Sequence, residues 1–171
     1  FKQTQKAMFE LLYPMNIEET LTNLKRAVKA DSTNTMAQYF LAMLNKLFGD
    51  EKNADKHCNA MINNLHRVPE IIAVKLKHRY YLICEEDKEK AFKVLKMQVE
   101  LFPLDKETRI SLAQAYRERN LLDDAIREYN VIYQLDPSDH SMLENIADTY
   151  IDKGDFERAM SYANKAMKLL P

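Results

Sequence analysis

The stretch that decides the fold reads Leu143-Glu-Asn-Ile146-Ala147-Asp-Thr-Tyr150, then Gly154-Asp-Phe-Glu-Arg-Ala159, and closes with Ala166 and Pro171. Along this stretch a large apolar residue is followed by a small residue, a tyrosine, a Gly-Asp pair, two alanines and a proline. Upstream, the preceding copy of this order reads Leu112-Ala113, Tyr116, Asn120, Ala125, Tyr129 and Pro137. The chain therefore repeats one structural unit.

The spacing of the copies is 34 residues. Four of the five prolines are spaced 34 residues apart, at Pro69, Pro103, Pro137 and Pro171. The same step relates Ala91, Ala125 and Ala159, and it also relates Tyr116 to Tyr150. Because independent residue types share one step, the sequence predicts a tandem array of one repeated structural unit.

This pattern resembles the tetratricopeptide repeat (TPR). The resemblance implies an all-α, right-handed α-solenoid of about five helix-turn-helix repeats, with about ten antiparallel helices in a single domain, 1–171. The repeats run at about 1–34, 35–71, 72–105, 106–139 and 140–171. Asn120 replaces glycine at an interhelix turn, which asparagine tolerates because it enters the left-handed region readily. Three extra residues before Pro69 lie in the second helix of repeat 2 or in the turn after it.

The third repeat departs most from the pattern. His78 and Arg79 occupy positions where the family has a large apolar and a small residue. Either that junction packs loosely, or the helix slides so that an inward stripe forms from Ile72, Leu76, Tyr80 and Ile83. We favour the slide, which predicts that His78 and Arg79 lie on the surface.

Composition excludes several functions. The net charge is −1, so no basic field recruits nucleic acid, and the longest uncharged apolar stretch, Met36 to Asn45, is too short to enter a membrane as a span. Only two glycines occur, which excludes phosphate-cradling and dinucleotide loops. The histidines and cysteines lack metal-ligand spacing. We therefore expect no enzyme, no cofactor and no metal.

The two cysteines bear on the cellular compartment of the protein. Cys58 and Cys84 are expected to be reduced thiols, with Cys58 packed in the core, and the protein is expected to be cytoplasmic.

The last predicted helix, from about Phe156 to Leu170, is apolar over a broad face. The missing initial Met and this face predict that the chain is part of a longer polypeptide, or that a second copy covers the face in a homodimer.

The TPR resemblance also implies a binding site. In that family the first helices of successive repeats line a concave groove that holds a peptide segment or a helix of a protein partner. Carried over position by position, the groove consists of Phe9, Tyr39, Phe40, Met43, Leu76, Lys77, Tyr80, Ser111, Gln114, Arg117, Asn145 and Asp148. The helix from Thr35 is apolar nearly all round, so its aromatic residues either bind a partner or are buried beneath residues 1–13.

We therefore expect a non-catalytic protein–protein interaction scaffold. The first alternative is a regulatory or assembly domain of a larger signalling or enzymatic polypeptide. The second alternative is a homo-oligomerisation module.

Overall fold

The computed structural model of the chain describes residues 17–169. Over that range it contains nine α-helices, a short 3-10 helix and no strand. The helices are α1 (Ile17–Ala30), α2 (Thr35–Leu47), α3 (Glu51–Asn63), α4 (Glu70–Ile83), α5 (Lys88–Leu101), α6 (Lys106–Glu118), α7 (Leu122–Leu135), α8 (His140–Asp152) and α9 (Phe156–Met167). The 3-10 helix is Leu65–Arg67. The all-α fold is confirmed.

The two helices of repeats 2, 4 and 5 pair as the repeat pattern predicts. The helices α2 and α3 pack together, as do α6 and α7, and then α8 and α9, while α7 also packs on α8 of the following repeat. The chain divides into two compact units, Phe1–Val94 and Leu95–Pro171, with the division inside α5. The single domain expected from the sequence stays a prediction.

The interhelix turns explain the glycine and asparagine positions. Gly49, Asn120 and Gly154 have φ angles of 69°, 58° and 77°, in the left-handed region. In each turn the following amide donates to a carbonyl five residues back, as Asp155 does to Tyr150 at 2.9 Å, which is the Schellman ending of a helix. The prediction for Asn120 is confirmed, because asparagine accepts this conformation with little strain.

Aspartate side chains cap the start of α3, α8 and α9. The carboxylate of Asp50 accepts the Asn53 amide at 3.3 Å, and that of Asp155 accepts the Arg158 amide at 3.1 Å. Asp139 is the N-cap residue of α8, and its carboxylate accepts the Ser141 amide at 3.0 Å. The three extra residues of repeat 2 lie after its second helix, where the chain forms the 3-10 turn before Pro69.

Alanines mark the closest helix contacts of the second unit. Ala113 on α6 and Ala125 on α7 are both 0% exposed. They lie in one cluster with Tyr129, Met142 and further residues of α7, α8 and α9, namely Ile126, Ile132, Ile146, Tyr150 and Ala159. Side chains no larger than methyl let the helix backbones approach, and the large residues fill the space beside them.

The third repeat differs from its prediction. On α4 the buried residues are Val74, Leu76 and His78, whereas Ile72, Tyr80 and Ile83 are half-buried. Arg79 is exposed as expected, but placing His78 on the surface was wrong. Val74 and His78 are one turn apart on one side of α4, and Leu76 lies on the opposite side, so the helix is buried on two sides. The imidazole enters the core because it can be neutral, whereas the guanidinium of Arg79 cannot.

Burial of His78 predicts a pH-dependent stability. Burial, and secondarily the charge of Arg79, lower the pKa of His78 to about 4, from 6.5 for an unperturbed histidine. The unfolded chain therefore binds the proton more tightly, so stability is complete above pH 6.5 and falls as the pH drops toward 4. Between pH 7.5 and pH 5 we expect a loss of about 2 kcal/mol in the free energy of unfolding.

Urea denaturation of the wild-type chain and of His78→Gln at the two pH values measures this loss. The variant is expected to lose the pH dependence that His78 contributes, while the exposed His66→Gln keeps it. Equal pH dependence in the wild type and in His78→Gln would show that the buried imidazole is not its source.

Cys58 and Cys84 form a disulfide, so the expectation of reduced thiols was wrong. Cys58 lies on α3 and is 3% exposed, which confirms its predicted place in the core, and Cys84 follows the last residue of α4. The packing of α3 on α4 brings the Cα atoms of Cys58 and Cys84 to 6.0 Å from each other, a distance that a disulfide bridges readily. The bond joins the second helix of repeat 2 to the end of the first helix of repeat 3.

Residues 17–169 contain neither a membrane-spanning helix nor a cluster of metal ligands. None of the helices there is long and apolar enough to cross a membrane. In the same range, no cluster of three or more His, Cys, Asp or Glu side chains is placed to hold a metal ion.

Candidate functional site

In the first unit, the predicted groove residues of α2 form a partly exposed apolar strip. The rings of Tyr39 and Phe40 lie 5.0 Å apart, and the Tyr39 hydroxyl lies 3.9 Å from the Sδ atom of Met43. Phe40 is 39% exposed and Met36, one turn before it, is 43% exposed. The opposite side of α2 packs in the core through buried residues such as Leu41 and Leu44. The helix is therefore fixed from behind while its aromatic strip faces outward.

The neighbouring first helix, α4, contacts α2 and carries two further groove residues. Lys77 and Tyr80 are half-buried, and the ring of Tyr80 lies 5.6 Å from that of Tyr81. Burial, and then the nearby Glu85, raise the pKa of Tyr80, so its phenol stays protonated. We call the group Tyr39, Phe40, Met43, Lys77 and Tyr80 the aromatic surface.

Two of the predicted groove residues are not part of that surface. Leu76 is 4% exposed and packs in the core, because it lies on the buried face of α4. It cannot touch a partner without unfolding the helix, so we remove it from the site. Phe9 lies outside the described residues.

In the second unit, the predicted groove residues lie around an ion pair between successive first helices. Arg117 on α6 donates from its Nε atom to Asp152 on α8 at 3.0 Å, and a second guanidinium nitrogen contacts the same carboxylate. Beneath the pair, the phenol of Tyr129 is 0% exposed, and its oxygen makes no hydrogen bond within the described chain. Burial raises the pKa of Tyr129, Arg117 opposes this shift, and Asp148 and Asp152 reinforce it. Arg117, Asp148 and the Tyr129 hydroxyl are therefore close in space.

Two of the other predicted residues of the second unit donate hydrogen bonds to carbonyls of their own helices. The Ser111 hydroxyl donates to the Glu107 carbonyl at 3.0 Å, and the Asn145 amide donates to the Ser141 carbonyl at 2.9 Å. Gln114 is exposed. We call Ser111, Gln114, Arg117, Asn145 and Asp148 the polar surface, which offers acceptors and one paired cation.

The ion pairs between repeats were not predicted from the sequence. Lys106 pairs with Asp139, Arg117 with Asp152, and Lys153 with Asp123, at separations of 33, 35 and 30 residues. The last two join repeat 4 to repeat 5, and the first joins the start of repeat 4 to the residue that caps α8. Opposite charges at roughly the repeat spacing were the signal in the sequence, because stacked repeats bring such positions together.

The last repeat carries a groove between α8 and α9. Its volume is about 410 Å³. We call it the α8–α9 groove, and its lining consists of Glu144, Ala147, Asp148, Ile151, Phe156, Ala159, Met160, Ala163, Ala166 and Met167. Its apolar edge is open to solvent, since Phe156 is 68% exposed and Met160 is 67% exposed. The broad apolar face predicted for the last helix is confirmed.

The chain is similar to known proteins in sequence and in fold. Residues 140–171 match the tetratricopeptide repeat family. The human Protein O-mannosyl-transferase TMTC1 is 26% identical over 90% of this chain, and the chain spans only 18% of that protein's length.

Two solved structures share the fold. MamA from Desulfovibrio magneticus RS-1 superposes with a TM-score of 0.66 and 20% identity, over 98% of this chain and 94% of its own. YrrB, described as a TPR protein with an unusual peptide-binding site, superposes with a TM-score of 0.61 and 20% identity, over 96% of this chain and 82% of its own. Residues 140–171 therefore match a tetratricopeptide repeat, and the helical hairpins of the described chain share the fold of these two solved structures.

Proposed function

We propose that the chain is a non-catalytic scaffold that binds an apolar peptide segment or helix of a protein partner on the aromatic surface. The observation that carries this proposal is the exposed strip of α2, where Phe40 is 39% exposed beside Tyr39 and Met43. Exposed aromatic and methionine side chains on a fixed helix are typical of interaction surfaces, because they bury large areas with little loss of conformational freedom.

The polar surface is a second candidate binding surface and lies in the second unit. Arg117 is already paired with Asp152, so its charge is largely satisfied, while Asp148 and Gln114 are exposed. A segment bound there would gain hydrogen bonds and orientation from these groups. The TPR fold supports protein–protein interaction in general, and a peptide-binding site named for YrrB favours this use.

Peptide selection tests the proposal. Peptides are selected from a random phage-displayed library on the wild-type chain, and their affinities are measured for Tyr39→Ala/Tyr80→Ala. We expect the double substitution to weaken binding by about tenfold or more, because aromatic anchors dominate such interfaces. Leu104→Ala is the control, since Leu104 is 74% exposed and lies outside the aromatic surface. Selected peptides that bind all three proteins equally would remove the aromatic surface from the proposal.

A second candidate is an assembly or regulatory part of a larger enzyme. It is favoured by the likeness to a much longer protein named as an O-mannosyl-transferase. In that case the binding surfaces would recruit a substrate protein or a subunit to a catalytic domain elsewhere. A third candidate is a homodimer through α9, which is favoured by the exposure of Phe156 and Met160.

The compartment we propose is an oxidising one. The sequence suggested the cytoplasm, but the Cys58–Cys84 disulfide disfavours it, because reducing compartments keep such pairs as thiols. Extracellular space, a secretory lumen and a periplasm all satisfy this condition.

A further inference from the structure

The interhelix turn of repeat 3 holds a residue that is unfavourable in its conformation. Glu86 has a φ angle of 53°, in the left-handed region, at the position that Asn120 and Gly154 fill in repeats 4 and 5. Glycine and asparagine enter this region readily, whereas the Cβ atom of a glutamate crowds the following carbonyl oxygen there. Such a conformation persists only where neighbouring contacts hold it. The turn is therefore strained and depends on contacts outside it.

The same turn is wider than its counterparts. The Asp87 amide donates to a carbonyl six residues back, at 2.8 Å, whereas the Asp155 amide donates five residues back. The amides of Cys84 and Glu85 both donate to the Tyr80 carbonyl, at 2.8 and 3.2 Å. The last turn of α4, which carries Tyr80, is therefore hydrogen-bonded to the strained turn that follows it.

Two contacts join this turn to repeat 2. The Cys58–Cys84 disulfide ties the residue after α4 to α3. Lys46, in the last turn of α2, pairs with Glu86 at 3.2 Å. The side chain of Glu86 is 73% exposed, so solvent weakens this ion pair. The covalent bond is therefore the stronger of the two contacts that hold Glu86 in the left-handed region.

The turn also lies against Tyr80 of the aromatic surface. The Glu85 carboxylate, one residue after Cys84, pairs with Lys90 at 2.7 Å. Burial, and then this carboxylate, raise the pKa of the Tyr80 phenol, so Glu85 lies close to it. Tyr80 is half-buried, and its place depends on the last turn of α4. A change in the turn therefore displaces an aromatic residue of the proposed binding site.

We propose that the Cys58–Cys84 disulfide is a redox switch for the aromatic surface. In the oxidised chain the bond holds the strained turn, and with it Tyr80, in the binding arrangement. In the reduced chain Glu86 leaves the left-handed region and the last turn of α4 unwinds, so the surface loses one of its rings. This regulation rests on the proposed function of the aromatic surface.

The reductant is a dithiol, and the step is thiol–disulfide exchange. Its thiolate attacks the Sγ atom of Cys84, which is half-buried, whereas Cys58 is 3% exposed. The S–S bond breaks, and Cys58 leaves as a thiolate that takes up a proton. The second thiol of the reductant then loses its proton and attacks its partner sulfur, which releases Cys84 as a thiolate that is also protonated. Two electrons and two protons thus pass to the protein, and the reductant becomes a disulfide.

Carbon-13 backbone chemical shifts of the free chain test the switch without a partner, because they report helix residue by residue. The oxidised chain is compared with the chain reduced by dithiothreitol. We expect residues 80–87 to lose their helix and turn shifts on reduction, while α2 and α3 keep theirs except beside Cys58. Unchanged shifts at residues 80–87 overturn the proposal. Loss of the helical shifts throughout α2, α3 and α4 means that reduction unfolds the unit, and also overturns it.

Binding shows whether the turn is coupled to the aromatic surface. The probe is a phage-selected peptide that binds the oxidised wild-type chain and loses affinity for Tyr39→Ala/Tyr80→Ala. We expect reduction to weaken its binding at least about tenfold, because Tyr80 is one of the aromatic anchors. Equal affinity for the two redox states overturns the proposal. Peptides that ignore Tyr39 and Tyr80 in the oxidised chain contradict the proposed function, a failure that the partner-free chemical shifts distinguish from failure of the switch.

Two substitutions of Glu86 separate strain from charge. Glu86→Gly removes the strain, so we expect the reduced variant to keep the turn and to bind the peptide within about twofold of its oxidised form. Glu86→Gln loses the ion pair with Lys46 but keeps the strain, so its affinity should still fall about tenfold on reduction. Redox dependence that survives Glu86→Gly, or that disappears in Glu86→Gln, overturns the proposal.

Discussion

Reduction of the Cys58–Cys84 disulfide is expected to lower the free energy of unfolding of the first unit by about 3.5 kcal/mol. The bond closes a loop of 26 residues, and removing it returns that loop's conformational freedom to the unfolded chain. The loss is large because the bond also joins repeats 2 and 3, where α3 packs on α4. Urea denaturation followed by far-ultraviolet circular dichroism, with and without a phosphine reductant, measures it.

The double variant Cys58→Ala/Cys84→Ser separates the disulfide from other effects of the reductant. Its stability should match that of the reduced wild type, and reductant should not change it further. Cys58 takes alanine because it is 3% exposed, whereas Cys84 is half-buried and takes serine. Two free thiols in the protein purified without reductant, or an unchanged denaturation midpoint on reduction, would contradict the disulfide and the oxidising compartment proposed from it.

Tyr129→Ala is expected to destabilise the second unit by about 3–5 kcal/mol, the range for removing a large buried ring. Tyr129 is 0% exposed and lies in the cluster that joins α6, α7 and α8. Its ring fills the space that the α8–α9 groove leaves open one repeat later. Because Ala125 and Ala113 beside it are small, the neighbouring side chains cannot close the cavity.

Tyr129→Phe is the matched control. It keeps the ring and removes only a buried hydroxyl that makes no hydrogen bond in the described part of the chain. The guanidinium of Arg117 lies near enough to lower the pKa of the phenol, against the larger effect of burial. We therefore expect a change within about 1 kcal/mol. A phenylalanine variant as unstable as the alanine variant would mean that the hydroxyl, and not the ring, supports this junction.

Much of the architecture followed from the repeat spacing. Asn120 in the left-handed turn, Asp139 at the start of α8 and the alanines at the helix crossings could be predicted because each position recurs in a known structural place. Local rules of turns and caps then fix the residue type. The wrong placement of His78 arose where the third repeat breaks the pattern, since only tertiary packing decides which face of α4 is buried.

The disulfide and the ion pairs between repeats depend on distances through space. Cys58 and Cys84 are 26 residues apart and follow no repeat position, so their approach arises only from the packing of α3 on α4. The α8–α9 groove could be anticipated as an apolar face, but the presence of Glu144 and Asp148 in its lining depends on the packing of α8 on α9. In this chain, function is expected where successive repeats differ.

The most direct measurement of the scaffold proposal is hydrogen–deuterium exchange of the whole chain with and without a peptide selected on it. Binding on the aromatic surface predicts slower exchange in α2 and α4, the first helices of repeats 2 and 3, and little change in α3. Protection confined to second helices such as α3 or α7, with α2 and α4 unchanged, would contradict a partner held on the first helices.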